Sequence, residues 1–518
     1  MIKELKSYNY FLNITAIIIS VLAVLFLFKD SILRDSSSFL SCMDIKISFH
    51  PYLNFFCLLP LLSIPVLIFS YGYFTALKYS SYQKIVIFLS IGAAILSFYL
   101  VVLSANLFTL FVGYELLTLC TIPLIITRYL EEEKIALKYY LAILIGTSTT
   151  MFLPALLFVH NIVGNTDFIE GGILANKLSD NNAIILLLLF LFGISKAALP
   201  PFYGWMMHAM VAPHPISAII HGVLVVKAGV IALIKVILFT FGKDYITFLL
   251  QNNSWLLIIP AYGAIYSGLK ALSENQIKRI LAYSTISQLN FIILLALTIK
   301  DMTIVAHLIL SHAILKVTLF LTAGYFYVKY KATSLQDISG VAKDSYLTSA
   351  IFLFVSFSMM GLPLMSGGIV KTQIIGDILE FEISTLIFFC SILTSSYLLK
   401  ILYHMIFLPI KKTYIEQKNA PFISMKLGLL ICIFTELFFI TQFTNITTID
   451  SLYAYKKFSL QIILALIMVV LSYVIKLDKL LNFKTFSIHI YRPKVEIILS
   501  QSWQVILLFT SLIIFMNI

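Results

Sequence analysis

Residues 191–205 read LFGISKAALPPFYGW and place a lysine, Lys196, shortly before two consecutive prolines in an apolar segment. Proline has no backbone N–H, so Pro200 cannot donate to the carbonyl of Lys196, and Pro201 cannot donate to that of Ala197. We therefore predict a helix that is broken at this point. In a membrane, the freed backbone groups must be satisfied by protein or water, so the break is expected to face the interior of a helix bundle.

A second broken helix is predicted at residues 359–372, MMGLPLMSGGIVKT, where Pro363 stands among three glycines and Lys371 follows. Interrupted segments in corresponding positions of two halves are typical of internally repeated transporters. A unit of five helices with the break in the fourth occurs twice, over residues 84–240 and 255–408. Because five is an odd number, the second repeat is expected to run inverted relative to the first.

The composition indicates that the solvent of this chain is lipid. Of its 518 residues, 60% are hydrophobic and 12% are charged, whereas an ordinary soluble domain has about 25% charged residues. Apolar stretches of about 20 residues, long enough to cross a hydrocarbon core as a helix, recur throughout. The predicted fold class is all-α, a polytopic transmembrane bundle of about fifteen helices, at residues 10–28, 52–75, 84–104, 106–127, 135–159, 182–203, 213–240, 255–272, 277–299, 302–327, 346–374, 384–408, 421–443, 457–475 and 503–517.

The two repeats are expected to be flanked by N-terminal transmembrane helices over residues 1–83 and C-terminal ones over residues 409–518. The first apolar run follows two lysines as a signal peptide would. It is long for one and lacks a small-residue cleavage site, so we interpret it as a retained span. Lysine and arginine concentrate in the connectors of one side, which predicts a cytoplasmic N-terminus and an external C-terminus in the plasma or inner membrane.

Other classes of function find little support. The formal charge of +12 is spread over short connectors, which does not indicate nucleic-acid binding. No nucleotide-binding loop, nucleophile arrangement or metal cluster stands out, so we expect no cofactor, no metal and no covalent catalysis by the chain itself. A disulfide framework is not expected either, because the five cysteines are scattered and lie mostly in apolar runs, at Cys42, Cys57, Cys120, Cys390 and Cys432.

Several ionisable residues fall inside predicted spans, where a charge costs about 2.5–3.5 kcal/mol on insertion scales and needs a partner or a watery cavity. Glu115 stands near the middle of its helix, far from any other charge in the sequence. Lys196 and Lys371 stand at the two breaks, and burial favours the neutral form of a lysine, which suits proton exchange. A structural ion pair for Glu115 and a snorkelling end position for Lys196 are the alternatives. The run Glu131 to Glu133 is interpreted as a solvated connector.

Two further helices carry basic residues within a span. In HGVLVVKAGVIALIK, His221 and Lys227 are six positions apart, about 120° around a regular helix, so they are expected to face different neighbours. In SHAILKVTLFLTAG, His312 and Lys316 are four apart and share a face, which suits a proton relay. A hydrogen-bonded core position is the alternative for each histidine, and snorkelling is the alternative for Lys235.

These segments resemble a known family, the antiporter-like membrane subunits of Mrp-type monovalent cation/proton antiporters and respiratory NADH:quinone oxidoreductase, complex I. The pairing of AMVAPHPISA with HGVLVVKAG is most similar to the D-type subunit of Mrp antiporters. The resemblance spans roughly residues 84–408 and is carried by ANLFTLFVGYELLTL around Glu115, SKAALPPFYGWMMHAMVAPHPISAIIHGVLVVKAGV around Lys196 and Lys227, LAYSTISQL at 281–289, SHAILKVTLFLTAG, and GLPLMSG before Lys371.

The resemblance implies exchange of protons for sodium or a similar monovalent cation, in a complex with other membrane subunits. A proton-pumping subunit of NADH:quinone oxidoreductase is the alternative, which would make the chain a translocase subunit of an enzyme, and an inactive scaffold protein is a more distant one. The residues implied in translocation are a Glu115–Lys196 pair, a central lysine, a terminal lysine and relay positions, here Lys227, Lys371, His221, His312 and Lys316.

This chain departs from the family pattern in two respects. One helix fewer than usual precedes the Glu115 helix, and the usual N-terminus of the family is external. These two departures cancel, so the Glu115 helix is expected to keep its direction across the membrane. In addition, His214 stands in APHPIS where the family usually has an acidic residue or threonine.

Overall fold

A computed structural model describes the protein at residues 45–48, 51–174, 177–377, 381–409, 422–444 and 451–474. The helices predicted at residues 10–28 and 503–517 lie outside these ranges, as does Cys42. Within the ranges, the secondary structure is helical apart from three isolated backbone bridges. The predicted all-α helix bundle is confirmed.

Eleven helices of the described ranges are long and apolar enough to cross a membrane, and three shorter ones complete the bundle. Short helices at Gly204–His208 and Lys243–Asn252 lie in connectors. The main helices are α1 (Phe56–Ala76), α2 (Ser81–Leu103), α3 (Leu107–Ile125), α4 (Glu131–Val163), α5 (Asp180–Gly193), α6 (His214–Phe241), α7 (Ser254–Ser273), α8 (Ile277–Thr298), α9 (Met302–Tyr330), α10 (Tyr346–Met360), α11 (Ser366–Asp377), α12 (Ser384–Phe407), α13 (Phe422–Gln442) and α14 (Tyr455–Val474).

The centre of the bundle is formed by α6, α8 and α9, whose apolar segments are almost entirely buried within the protein. At its edge, α13 and α14 expose most of their apolar segments. A helix that is apolar all round is expected in a core or in lipid, and both cases occur here. The division into two inverted repeats with flanking helices stays a prediction.

The first helix break lies earlier than the prolines predict. Helix α5 ends at Gly193, and a 3-10 turn, Ser195–Ala197, follows. Ala198 then has a left-handed φ of 58°. The prediction of one helix over residues 182–203 is therefore wrong in its second half, because the chain has left the helix before proline can act on it, and Lys196 lies within the break.

The second break follows its prediction more closely. Helix α10 ends at Met360 with Gly361 in a left-handed conformation, φ 100°, a geometry that glycine adopts without the cost other residues incur. Helix α11 begins at Ser366, after Pro363. Five residues thus separate the two helical segments predicted within residues 346–374.

Two helices contain π-helical turns, which hold more residues per turn than an α-helix. One is Ser148–Phe152 in α4, and two are Ile219–Val223 and Val236–Phe241 in α6. Because His221 lies in a π turn, the angle of about 120° predicted between His221 and Lys227 from regular α-helix geometry does not apply.

Helices α2 and α3 join in a tight hairpin. Asn106 caps α3, since its Oδ1 accepts a hydrogen bond from the Thr109 N–H at 2.7 Å. Lys235, from α6, donates to the carbonyl oxygen of Ser104 at 2.7 Å and to its hydroxyl oxygen at 2.8 Å. Lys235 is buried, so it closes the hairpin and does not snorkel.

Connectors predicted to share one side of the membrane lie together. A backbone bridge joins Gln276 to Ser334 on one side, and another joins Asn106 to Asp167 on the other.

The run of three glutamates, on the first of these sides, forms the first turn of α4. Glu133 is buried and accepts hydrogen bonds from the Thr127 hydroxyl and the Arg128 N–H. The prediction that all three are solvated is wrong for Glu133, because its carboxylate fixes the turn that leads into the helix.

Candidate functional site

Lys196 is held at the first break by a single tyrosine. Its Nζ donates to the carbonyl oxygen of Tyr114 at 2.5 Å and lies 3.1 Å from the centre of the Tyr114 ring. The backbone N–H of Lys196 donates to the Tyr114 hydroxyl at 3.1 Å. Both residues are fully buried, and an aromatic face stabilises a nearby cation. Helix α3 therefore fixes both the main chain and the side chain of the lysine.

Glu115 follows Tyr114 on α3, and its charge acts on Lys196 electrostatically. Its Oε1 is enclosed and has no hydrogen-bond partner within the described ranges. No ion pair joins the carboxylate to Lys196 there, since the lysine donates to Tyr114 instead. The two charges predicted as a pair are neighbours without direct contact.

Two side chains satisfy backbone carbonyls of the first break, and a third helix packs closely against it. Trp205 Nε1 donates to the Ser195 carbonyl at 3.0 Å, and Asn290 Nδ2 donates to the Ala198 carbonyl at 3.0 Å. On α6, Gly229 lies so close that an added Cβ would overlap the backbone of the break. Such close approach requires a small residue. Interior protein groups thus satisfy backbone carbonyls at this break, as the sequence predicted. The carbonyls are those of Ser195 and Ala198, however, and not those of Lys196 and Ala197.

At the centre of the bundle, Lys227 of α6 and His312 of α9 are hydrogen-bonded through Nζ and Nδ1. Both side chains are buried. The other ring nitrogen of His312, Nε2, has no partner among the described residues. Lys316, one turn along α9, points to α8 and donates to the Ser284 hydroxyl and to the Leu281 carbonyl. The predicted relay positions on α9 therefore bridge two neighbouring helices.

His221 lies between aromatic rings. Its ring is stacked 6.2 Å from that of Trp205 and 5.7 Å from that of Phe320. Both ring nitrogens are buried without a hydrogen-bond partner in the described part of the chain. Lys278 and Lys316 both act on the ring electrostatically. Both lysines thus lie near His221, which makes no direct polar contact with either in the described ranges.

A cavity of about 490 Å³ opens on the side of the bundle that holds Arg128 and Glu133. Lys278 lines it and donates to the carbonyl oxygens of Met210 and Ala212. His214, another lining residue, is hydrogen-bonded through Nδ1 to the Tyr73 hydroxyl at 3.1 Å. The histidine that departs from the family pattern therefore forms part of the cavity wall.

Lys371 lies at the second break, where it donates to the carbonyl oxygens of Met359 at 3.3 Å and Met360 at 2.9 Å. Gln461 of α14 also donates to the Met360 carbonyl, at 2.8 Å. Each broken helix thus has a lysine whose ammonium group binds a backbone carbonyl. The structure brings Lys227 and His312 together, but within the described ranges Lys371 forms no hydrogen bond or ion pair with another predicted site residue.

Three residues at these sites were missed from the sequence: Tyr114, Asn290 and Glu436. Glu436 of α13 is fully buried and accepts hydrogen bonds from Ser358 and Ser366, each at 2.7 Å. A lone glutamate in the apolar run CIFTELFFI gives the same signal as Glu115 and could have been found. Tyr114 and Asn290 gave no such signal, because they act on backbone groups.

Comparison with known proteins matches residues 104–396 to the family described as "NADH:quinone oxidoreductase/Mrp antiporter, TM". NADH-quinone oxidoreductase subunit L of Buchnera aphidicola subsp. Schizaphis graminum (strain Sg) is 30% identical over 322 residues, 60% of this chain and 51% of that protein. The A/B subunit of a probable K(+)/H(+) antiporter of Rhizobium meliloti (strain 1021) is 28% identical over 290 residues, 54% of this chain and 28% of that protein. The chain spans about half the length of the first relative and less of the second.

A similar fold occurs in a solved structure, that of the Mrp complex from Dietzia sp. DQ12-45-1b. One of its chains matches with a TM-score of 0.72 at 17% identity, over 92% of this chain and 96% of that chain. The family match covers more than half of the sequence and includes both helix breaks and the buried charges between them. This multi-pass membrane protein therefore belongs to the family of NADH:quinone oxidoreductase and Mrp antiporter membrane subunits.

Proposed function

We propose that the chain is a subunit of a multisubunit monovalent cation/proton antiporter of the D-type Mrp branch, exchanging sodium or a similar cation for protons. The observation that carries this proposal is the buried contact of Lys227 with His312, between two helix breaks that each hold a lysine. Ionisable groups inside a membrane are costly and mark ion pathways. Here they extend across the bundle.

The path of the proton begins at the cavity lined by His214 and Lys278. Electrostatic interactions link Lys278 to His221, His221 to Lys316, and Lys316 to the Lys227–His312 contact. Two cations in contact repel each other, so a proton arriving at one member of this contact favours release from the other. Lys196 and Lys371 are the lateral exchange sites, and Glu115 biases the charge of Lys196.

The antiporter assignment is supported by the length of the structural match as well as by the sequence motifs. The fold match to the Mrp complex chain is nearly full length on both sides. We place the chain in the plasma or inner membrane, with a cytoplasmic N-terminus and an external C-terminus.

The test is sodium-dependent proton flux in membrane vesicles that contain the chain with its co-expressed membrane subunits. Lys227→Ala, Lys196→Ala and Glu115→Ala should each abolish exchange while leaving membrane insertion intact. Lys134→Ala is the matched control, because Lys134 is exposed and pairs with Glu131 at the surface. Normal flux in the three site variants would contradict the proposal.

A second candidate, a proton-pumping subunit of an NADH:quinone oxidoreductase, is favoured by the 30% identity to subunit L. In that case the chain would bind no redox centre itself and would respond to redox chemistry in partner subunits. Purification in mild detergent, followed by mass spectrometry of the bound partners, separates the two. Flavin and iron–sulfur subunits would identify the redox-driven complex, and small hydrophobic subunits would identify the antiporter.

A further inference from the structure

One buried carboxyl group lies outside the lysine and histidine positions of the proposed path. Glu436 accepts hydrogen bonds at Oε1 from Ser358 and Ser366, each at 2.7 Å. Ser358 lies in the last turn of α10 and Ser366 begins α11, so the two donors stand on either side of the second break. Oε2 of Glu436 is buried and has no hydrogen-bond partner in the described ranges.

The serine hydroxyls form a chain with a definite direction. A hydroxyl group has one hydrogen to donate, and Ser366 donates its hydrogen to Glu436. In the 2.8 Å contact between the hydroxyls of Ser311 and Ser366, Ser311 is therefore the donor. Ser311 precedes His312 on α9, so these hydroxyls connect the central helix to Glu436.

No cation compensates Glu436 in the described ranges. Its helix packs against α1, α9, α10 and α11, and the titratable side chains of these helices nearest along the chain to Ser311 and Ser366 are His307, His312 and Lys371. None of the three forms an ion pair with Glu436, whose polar interactions are with Ser358 and Ser366. An unpaired buried carboxylate is costly. A neutral acid with its proton on Oε2 keeps both hydrogen bonds at no such cost.

We propose that Glu436 is a proton-binding group of the translocation path, reached from the centre of the bundle through Ser311 and Ser366. This inference rests on the proposed function. When the ionised carboxylate is loaded, Oε1 of Glu436 takes the hydrogen of Ser366, and Ser366 takes that of Ser311. Ser311 takes a proton from the α9 side, so each hydroxyl keeps one hydrogen. Rotation of the carboxyl group about its Cγ–Cδ bond then brings the proton to the Oε2 position, and the hydroxyls turn to donate again as before. The second break thereby has a buried carboxyl group where the first has the half-buried Glu115, but on a helix outside both predicted repeats.

Dicyclohexylcarbodiimide tests the protonation directly, because it modifies protonated carboxyl groups in apolar surroundings. In vesicles containing the full chain, mass spectrometry should find Glu436 modified, less so as the pH rises, and Glu436→Gln should lose that modification. Exposed Glu132 is the matched control and should stay unmodified. An unmodified Glu436 at every pH would overturn the inference. Suppression of the modification by sodium at fixed pH would also overturn it, by identifying a cation site.

Flux measurements separate this inference from the proposed function. Glu436→Gln keeps an oxygen that accepts from both serines, so the fold should persist while proton flux falls by about tenfold or more. Ser366→Ala should lower flux as well, whereas Glu132→Gln should not. If Lys227→Ala is inactive and Glu436→Gln exchanges normally, the role of Glu436 is overturned and the antiporter stands. If the wild type shows no sodium/proton exchange, the proposed antiporter function is contradicted. The carbodiimide labelling then still decides whether Glu436 binds a proton.

Discussion

Lys227 and His312 are hydrogen-bonded to each other inside the bundle although 85 positions separate them in the chain. The contact is made by one nitrogen of the ring, while the other has no partner in the described ranges. A ring arranged in this way can take a proton at one nitrogen and pass one on at the other. Three further contacts in the molecule, and its orientation in the membrane, lead to predictions of their own.

Replacing His312 by glutamine should separate proton exchange from folding. Glutamine keeps a polar partner for Lys227 but cannot carry a proton, so proton flux in vesicles should fall by about 10²-fold or more. The control is Lys134→Gln at the exposed pair with Glu131. This substitution should change the free energy of unfolding by no more than about 1 kcal/mol. Unchanged flux in His312→Gln would show that protons bypass this contact.

Tyr114→Phe should affect stability more than transport. The substitution removes the acceptor of the Lys196 backbone N–H and leaves it buried and unsatisfied, at a cost of about 1–3 kcal/mol. The ring and the carbonyl that bind the lysine Nζ remain. We expect a lower unfolding temperature in detergent with most of the flux retained, and no change in Tyr82→Phe, whose side chain is exposed. Lost flux at unchanged stability would instead make the hydroxyl a participant in transport.

Gly229→Ala should disturb the first break from the opposite helix. The new Cβ would overlap the backbone of Lys196 and Ala197, so both the unfolding temperature and the flux should fall. Gly146→Ala is the matched control, because Gly146 lies in a helix and a Cβ added there would meet no heavy atom within 4 Å. Alanine should raise stability there by about 1 kcal/mol at most. Similar behaviour of the two variants would refute close packing at Gly229.

The connector after α9 should contribute a pH-dependent stability. Hydrogen bonds from the Tyr330 hydroxyl and Lys329 Nζ lower the pKa of Asp344 below its ordinary value. A lowered pKa means that the ionised form stabilises the fold above the unfolded-state value of about 3.9, and that this contribution is lost as the pH falls through the folded-state value. Asp344→Asn should therefore lower the unfolding temperature at pH 7, and the difference from wild type should shrink on acidification. A difference independent of pH would exclude the charge as its cause.

Sidedness is testable with single cysteines. In chains whose native cysteines are replaced by serine, a membrane-impermeant maleimide added to right-side-out vesicles should label Asn252→Cys and not Ser80→Cys. Both positions are exposed in connectors, and the charge distribution assigns them to opposite faces. The reverse labelling pattern would invert the proposed orientation of the described helices.

The sequence predicted the helices well because apolar length alone determines most of them, and it located the second break closely. The first break was misplaced, since the rule for proline assumes a helix that persists up to the proline, whereas α5 ends at Gly193. The sequence also did not reveal the hydrogen-bond acceptor of the Lys196 ammonium group. Resemblance pointed to Glu115, but the acceptor is a backbone carbonyl of Tyr114, a group that every residue possesses.

Pairing across distant helices was the least predictable part of the site. The spacing of His312 and Lys316 placed both on one face of α9, but it could not show that one would meet Lys227 and the other Ser284. Glu436 was visible in the sequence as a lone charge in an apolar helix. Its significance depends on two serines at the second break, which lie 70 or more positions away in the chain.

The π turn at Ile219–Val223 also constrains how this protein can tolerate changes in length. Loss of one residue there would convert the π turn into an ordinary α turn, with little change in the length of the span or in the direction of the side chains beyond it. The regular α-helical segment that follows, Val225–Lys235, holds no extra residue. Loss of Val225 or Val226 would rotate every side chain beyond the deletion by about 100° relative to the helix before it. Lys227 would then turn away from His312, so the same one-residue change has opposite consequences at neighbouring positions whose hydropathy is alike.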